Sequence, residues 1–531
     1  MNLNTHVMRK YILIFFLFLF TYKITPAAHL GKYYFKHLGL EQGLSQNSVL
    51  CILQDSTGFI WIGTKDGLNR YDGISFRTFK HKNSKDINCG LGNNVINSMC
   101  EDHTGNIWVG TDAGIYIYHP ETESFSHLKI KSNKGEYITQ PVNQITADKN
   151  GNLWIAVEFQ GMFFFDFKNQ TLTQHPISVN KDDSPTNINS FCIDRENTIW
   201  IGIQGNGLYY TNNNFSNLNV FTSADNINHF SDDNIYKIIP EDHNRILVGS
   251  AKGGLKEIDI IKRSVTNLLP SNHISQDIFV RNILQYSENE LWIASESGIF
   301  IYNTQSQKYL HLEHNSYDPY SLSDNAIYTI YKDRENGIWV GSYFGGIDYY
   351  PPQYANFEKY YPLPEYNSIS GKTIREFCED NQGYIWIGTE DAGLNKYDPV
   401  TRKFTYFSDS KLYHNIHALC LDGNYLWIGT YSGGLHLLDL KNNRIVKHYV
   451  KGNTSNTLND NNIYSMYKTS SGDIYIGTMT GLNKYNRETD DFIRISKLNG
   501  VFIYNILEDH NGNLWFASYT QGLFKFNPRN Q

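Results

Sequence analysis

Residues 55–73 read DSTGFIWIGTKDGLNRYDG, and the same phrase returns as DNQGYIWIGTEDAGLNKYDP at 380–399 and as DHNGNLWFASYTQGLFKFNP at 509–528. In each, an Asp stands three residues before a Gly (Asp55/Gly58, Asp380/Gly383, Asp509/Gly512). Gly tolerates positive φ, and an Asp side chain bonds back to its own backbone, so this spacing predicts a tight hairpin turn. An apolar strand precedes the turn (VLCILQ at 49–54), and WIGT follows it as a second strand. The third residue of that strand is Gly or Ala, which implies close approach of a neighbouring chain or ring. Gly67-Leu68 then opens a third strand, and Phe76 marks a weaker fourth.

The unit recurs along the whole chain. All nine Trp fall at one position of it (Trp61, Trp108, Trp154, Trp200, Trp292, Trp339, Trp386, Trp427, Trp515), with Leu247 and Tyr475 filling two gaps. Eleven copies result, 40 to 48 residues apart. Periods of this length belong to propeller blades. One four-stranded sheet cannot bury both of its faces, whereas stacking it on copies of itself covers both. The fold class expected is therefore all-β: a seven-bladed β-propeller followed by a partial, four-blade second β-propeller.

Composition agrees. The 531 residues include 38 Tyr, 30 Phe and 41 Gly, which suits pleated strands and tight turns. A net charge of -7, spread evenly, lacks the basic footprint that a nucleic-acid partner needs. At the N-terminus, Arg9 and Lys10 precede an apolar run (11–22) and small residues ending at Ala27-Ala28. This is the pattern of a secretory signal peptide, expected over residues 1–28, and it implies export to the periplasm. Cys100, Cys192, Cys378 and Cys420 occupy one repeated position in four copies, and Cys51 lies on the same kind of strand. Equivalent positions in separate blades are held apart, so free buried thiols are expected rather than disulfides. His414 and His417 have no further ligands suggested nearby and read as loop or strand residues. No metal site and no cofactor are expected.

More blades are present than the 4 to 8 of an ordinary ring, which calls for two rings. Pro351-Pro352 interrupts the seventh copy after its third strand. The mature N-terminus, YYFKHLGLEQGLS, resembles a fourth strand and the loop after it. Strand 33–38 is therefore expected to complete the seventh blade and close residues 29–352 into a ring. A strand around Phe357 would restart the pattern, and residues 353–531 would hold four blades of an incomplete second propeller. A four-blade ring closing on itself is the competing arrangement.

The quoted repeats resemble the two-component regulator propeller repeat, and the opening KHLGLEQGLSQNSV is similar to the start of periplasmic sensor regions in hybrid two-component systems. The resemblance implies a sensor for oligosaccharides released from complex glycans, controlling the matching utilisation genes. It also implies a possible homodimer, and kinase and DNA-binding modules that this sequence does not contain. Contact with a membrane would then come only through C-terminal parts missing here.

In a blade, the loops joining strands two and three vary while the Asp turns do not. The candidate ligand residues are accordingly Lys65, Asp66, Glu158, Phe159, Gln204, Asn206, Lys252, Tyr343, Phe344, Glu390, Asp391 and Tyr431. Planar aromatics beside carboxylates, amides and Lys supply the stacking faces and hydrogen-bond partners that a sugar needs. No catalytic residue is expected. A propeller glycosidase would need a distinctive acidic pair, and no repeat carries one. A protein-interaction scaffold is the remaining alternative.

Overall fold

The computed structural model describes residues 33–528, apart from 82–89, 180–185, 213–214, 231–232, 242–243, 270–277, 352–356 and 365. The expected signal peptide, Cys89 and Pro352 lie outside the described residues. The described residues form an all-β chain: ten four-stranded sheets and one three-stranded sheet, each antiparallel and all but one a simple meander. It divides into two compact units, one ending at Phe357 and the other beginning at Glu358.

Blade one shows how the repeat folds. Its strands are Val49–Gln54, Ile60–Thr64, Gly67–Tyr71 and Phe76–Phe79. The second strand is buried at every position, because neighbouring sheets cover both of its faces. This is why it reads as an apolar run instead of an alternation. Asp55 has two tasks. Its Oδ1 accepts the backbone N–H of Thr57 and of Phe59 (both 3.0 Å), which closes the turn, and its Oδ2 accepts the Trp61 indole N–H at 2.7 Å. The six-residue Asp–Trp spacing therefore follows from a staple between turn and core, repeated at Asp102–Trp108, Asp194–Trp200, Asp333–Trp339, Asp380–Trp386 and Asp509–Trp515. Indoles also pack on the next blade, as Trp61 does on Tyr118 with ring centroids 4.8 Å apart.

The first unit closes on itself. Its seventh sheet consists of Ile327–Lys332, Ile338–Ser342, Ile347–Tyr350 and, as the outermost strand, Lys36–Leu38. His37 pairs with Asp348, and the Phe35 N–H bonds to the Tyr320 carbonyl at 2.9 Å. One apolar cluster fills each junction between successive blades, and a last one joins Trp339 and Ile347 of blade seven to Val49, Ile52 and Ile62 of blade one. A Cβ added to Gly341 would stand 2.5 Å from Val49 Cγ1, so the ring shuts only because that residue is glycine.

The second unit holds the sheets that begin at Ile374, Ile416, Ile463 and Ile503. Its three junctions are filled in the same way. Its two end faces are not. Phe377 is 60% exposed where Ile52 of blade one is 8%, and Leu523 is 63% exposed where Leu68 is 0%. Each such side chain forgoes about 1.5–3 kcal/mol of burial. Among the described residues no strand is found around Phe357: Phe357 is exposed and lies in irregular chain, and the first described strand of this unit is Ile374–Glu379. A Pro-flanked approach, with no neighbouring strand to pair, explains the difference.

Cys51, Cys100, Cys192, Cys378 and Cys420 are free thiols. Burial pushes the Cys51 and Cys420 thiols up to about 12 and those of Cys100 and Cys378 up to about 11, so they behave as small apolar groups.

Candidate site at the first-strand bulges

The first strand of every sheet slips register at the same place. Pairing jumps from Val49 to Cys51, Ile96 to Ser98, Val142 to Gln144, Ile188 to Ser190, Ile235 to Lys237, Val280 to Asn282 and Ile327 to Thr329 in the first unit. In the second it jumps from Ile374 to Glu376, Ile416 to Ala418, Ile463 to Ser465 and Ile503 to Asn505. A residue skipped in this way is a β-bulge, released from the ladder with its side chain re-aimed. The residue before it is always Val or Ile. The skipped residues differ: Leu50, Asn97, Asn143, Asn189, Tyr236, Arg281 and Tyr328, then Arg375, His417, Tyr464 and Tyr504.

A second variable position lies beside each bulge. It is the first residue after the second strand, whose N–H bonds to the carbonyl of the residue preceding the first strand. Examples are Lys65 to Ser48 (3.1 Å), Glu158 to Pro141 (2.8 Å), Tyr343 to Ala326 (2.9 Å) and Glu390 to Thr373 (3.0 Å). Constant backbone geometry thus presents two changeable side chains per blade.

In the first unit these side chains sort into two arcs. Blades two to four contribute amides and carboxylates. Asn97 Nδ2 donates to Asp112 (2.8 Å), Asn143 Nδ2 donates to Asn187 Oδ1 (2.8 Å), and Asn187 in turn reaches Glu158 (3.3 Å) and Gln204 (2.9 Å). Asn189 Nδ2 is buried without a hydrogen-bond partner. Burial, with Asp112 nearby, raises the Glu158 carboxyl above its ordinary value. Blades five to seven contribute aromatic rings and cations. The Arg281 guanidinium lies 4.6, 4.0 and 4.4 Å from the ring centroids of Tyr236, Phe279 and Tyr328, and its Nε donates to Glu296 at 2.7 Å. Tyr343 packs on Tyr328 at 4.9 Å, and the Lys65 ammonium sits 4.2 Å above the Tyr343 ring.

The second unit builds a more aromatic surface from the same positions. His417 meets Tyr464 edge-on at 4.8 Å and stacks with Tyr431 at 5.8 Å. Tyr464 contacts Phe502 at 4.4 Å, and Phe502 stacks on Tyr519 at 5.4 Å. Glu390 Oε1 lies 3.6 Å from Arg375 and 3.7 Å from His417, while Arg375 donates to the Tyr504 hydroxyl at 3.2 Å. His417 Nδ1 is buried with no partner.

Lys65, Glu158, Gln204, Tyr343, Glu390 and Tyr431 thus occupy the second variable position, beside the bulges. The remaining expected residues lie one step away. Asp66 accepts from Asn94 (2.9 Å) and pairs with Lys80, and Asp391 accepts the Lys372 N–H (2.9 Å), so both carboxylates brace their loops. Asn206 donates to the Gln204 carbonyl (3.2 Å), and the Lys252 N–H goes to Asp233 (3.1 Å). Phe159 and Phe344 are 54% and 71% exposed. The bulge residues themselves are not among the sequence candidates. Their signal is a changing residue immediately after an unchanging Val or Ile. Among the described residues, no group of three or more His, Cys, Asp or Glu could hold a metal ion.

Stacked four-stranded blades that expose a variable bulge surface define a β-propeller. Residues 43–66, 90–113, 321–344, 368–391, 457–480 and 497–520 match the two component regulator propeller family, each match running from the approach to the first strand to the start of the second-to-third loop. The chain thus carries six repeats similar to the two component regulator propeller. It resembles the extracellular domain of the putative hybrid two component system BT3049 from B. thetaiotaomicron, 25% identical with a TM-score of 0.67 over 94% of this chain and 73% of that one. The extracellular domain of the BT4673 system of the same organism shares the fold, at 20% identity and a TM-score of 0.51 over 94% and 72%. Histidine kinase P4 of Formosa agariphila is 39% identical over 69 residues, which are 13% of this chain and 5% of that protein. The match therefore spans a small part of that relative's length. No helix among the described residues is long and apolar enough to cross a membrane.

Proposed function

We propose that the chain is the exported, non-catalytic sensing portion of a hybrid two-component system and that it binds an oligosaccharide released from a glycan. Binding would control the genes that use that glycan. The observation that carries this reading is the division of the first unit's bulge surface. An amide and carboxylate arc (Asn97, Asn143, Asn187, Glu158) supplies paired donors and acceptors for hydroxyls, and an arc of aromatic faces (Tyr236, Phe279, Tyr328, Tyr343) suits the apolar side of a pyranose. The likeness to extracellular sensor domains supports the setting. The test is a thermal-shift and calorimetric screen of the purified chain against fragments of plant, algal and host glycans. One fragment class should raise the melting temperature, and Tyr328→Ala or Asn143→Ala should weaken its binding at least tenfold. Absence of a shift with every fragment, at millimolar concentration, defeats the reading.

A further inference from the structure

Blade five breaks the repeat's own rule. Leu247 stands where most other blades carry Trp, and Glu241, six residues earlier, stands where most carry the stapling Asp. With no indole N–H to accept, the Glu241 carboxylate lies 3.3 Å from Arg245 Nε, and Arg245 Nη1 lies 3.3 Å from Glu257. In five blades the indole packs on an aromatic four residues after the third-strand Gly of the next blade, as Trp61 does on Tyr118 and Trp292 on Tyr350. Here that aromatic is Tyr302, and it shares an apolar cluster with Leu247. Leu247 is fully buried there, and on the outer side of Tyr302 and the Glu241–Arg245 pair a cleft of about 890 Å³ lies between blades five and six.

Its walls carry a particular chemistry. Gln285, Asn289, Gln305 and Gln307 enter from blade six, opposite the ion-paired Glu257 and Arg245 of blade five, with Tyr302 between them. A primary amide both donates and accepts, which matches adjacent hydroxyls, and a phenol adds an apolar face with a polar tip. Arg245, the cation among these lining residues, is already paired with two carboxylates, which disfavours an acidic sugar.

We propose that this cleft is a second ligand site, separate from the bulge surface, for a neutral saccharide. It does not depend on the bulge surface binding sugar. The test restores the repeat: Glu241→Asp with Leu247→Trp rebuilds the staple, shortens the Glu241 wall of the cleft and presses an indole on Tyr302, its lining ring. The probes are neutral di- to tetrasaccharides of gluco, manno, galacto and xylo configuration, read by saturation-transfer NMR and calorimetry on the full chain. In the wild type and in Tyr328→Ala, at least one probe should bind with unchanged affinity at the cleft. In the double variant that binding should weaken at least tenfold while the melting temperature holds or rises. Should the double variant fold poorly, Asn289→Ala with Gln305→Ala, both at the cleft rim, reads the same loss. Binding that survives both cleft variants, or no neutral probe binding to Tyr328→Ala, overturns the proposal. Binding lost only in Tyr328→Ala would overturn it too, and would assign sugar to the bulge surface alone.

Discussion

His37 Nδ1 lies 2.6 Å from Asp348 Oδ1, and this pair joins the strand nearest the N-terminus to a strand 311 residues away. Asp348 is fully buried, and its other oxygen accepts the Ser323 N–H at 3.0 Å. The bond to Asp348 raises the His37 pKa, against the opposing effect of burial. A raised folded-state pKa gives stabilisation that is complete below the ordinary value near 6.5 and is lost as pH climbs through the folded value. Amide exchange of Lys36 to Leu38 should therefore accelerate as the pH rises beyond that point, after correction for intrinsic exchange. His37→Gln should remove this dependence. An unchanged profile in His37→Gln would show that the imidazolium does not hold the latch.

Ring closure sets a steric condition at Gly341. The missing Cβ would stand 2.5 Å from Val49 and 2.6 Å from Thr329. Gly341→Ala should cost about 1–3 kcal/mol by overpacking the junction of blades seven and one. Gly90, whose added Cβ would meet nothing within 4 Å and whose φ, like that of Gly341, is outside the left-handed region, provides the control for adding a methyl alone. Paired urea melts of the two Ala variants measure the difference. If Gly341→Ala proved as stable as wild type, or more so, the seven-blade closure described above would be wrong.

The Asp–Trp staple predicts acid sensitivity. Burial tends to raise the Asp102 pKa, but hydrogen bonds from Thr104, the Trp108 indole and the Asn106 backbone outweigh it, and the net shift is downward. A depressed carboxylate contributes stability that is present above its unfolded value of about 3.9 and lost as pH falls through the folded one. Trp108→Phe keeps most of the packing but leaves the carboxylate short of a donor, at about 1–3 kcal/mol. Its acid-unfolding midpoint should move to higher pH. A midpoint equal to wild type would mean that the indole bond adds nothing.

Neighbouring residues at a bulge should separate folding from binding. Ile327 is fully buried at the junction of blades six and seven, whereas Tyr328 is the bulge residue beside Arg281 and Tyr343. Ile327→Ala should destabilise by about 2–5 kcal/mol. Tyr328→Ala should leave the melt nearly unchanged and reduce saccharide affinity instead. If both variants lose stability alike, the bulge position is structural.

The blade is legible in the sequence because its landmarks are local. Asp to Gly closes a turn, Asp to Trp makes a staple, and the second-strand Gly permits the next sheet to approach, all within one short stretch of chain. Half of the candidate site is legible for the same reason, since Lys65, Glu158 and Tyr343 follow directly from the end of a recognisable strand. The bulge residues are not. A bulge inserts one residue into an otherwise alternating strand, and Arg281 or Tyr328 then reads as an ordinary outward-facing position. The departure at Glu241 and Leu247 is visible as a gap in the Trp series, but its consequence is not. Whether a neighbouring sheet closes over a smaller side chain depends on the packing of blade six, which belongs to the next copy of the repeat.

The second unit should lose stability as the pH falls. His436 is fully buried, with Nε2 2.9 Å from the Lys411 carbonyl and its ring stacked 4.2 Å from His448. Burial, reinforced by His448, pushes its pKa down to about 4. Burial and then Arg375 lower that of His417, with Glu390 opposing them. Both imidazoles are thus neutral when folded, while the unfolded chain takes up protons near 6.5. The stability of the second unit is complete above that value and falls as pH drops toward 4, on the order of 3 kcal/mol for His436. In the first unit the His37 latch strengthens over the same range, while His127 and His175, whose pKa values burial lowers, act in the opposite sense. Calorimetry of the full chain from about pH 7.5 to about pH 5 should show the second unit's transition moving to lower temperature. His436→Gln, which keeps a donor for the Lys411 carbonyl but cannot titrate, should shrink that movement. A second-unit transition that does not move, or an acid shift that His436→Gln leaves intact, would show that these histidines do not govern it.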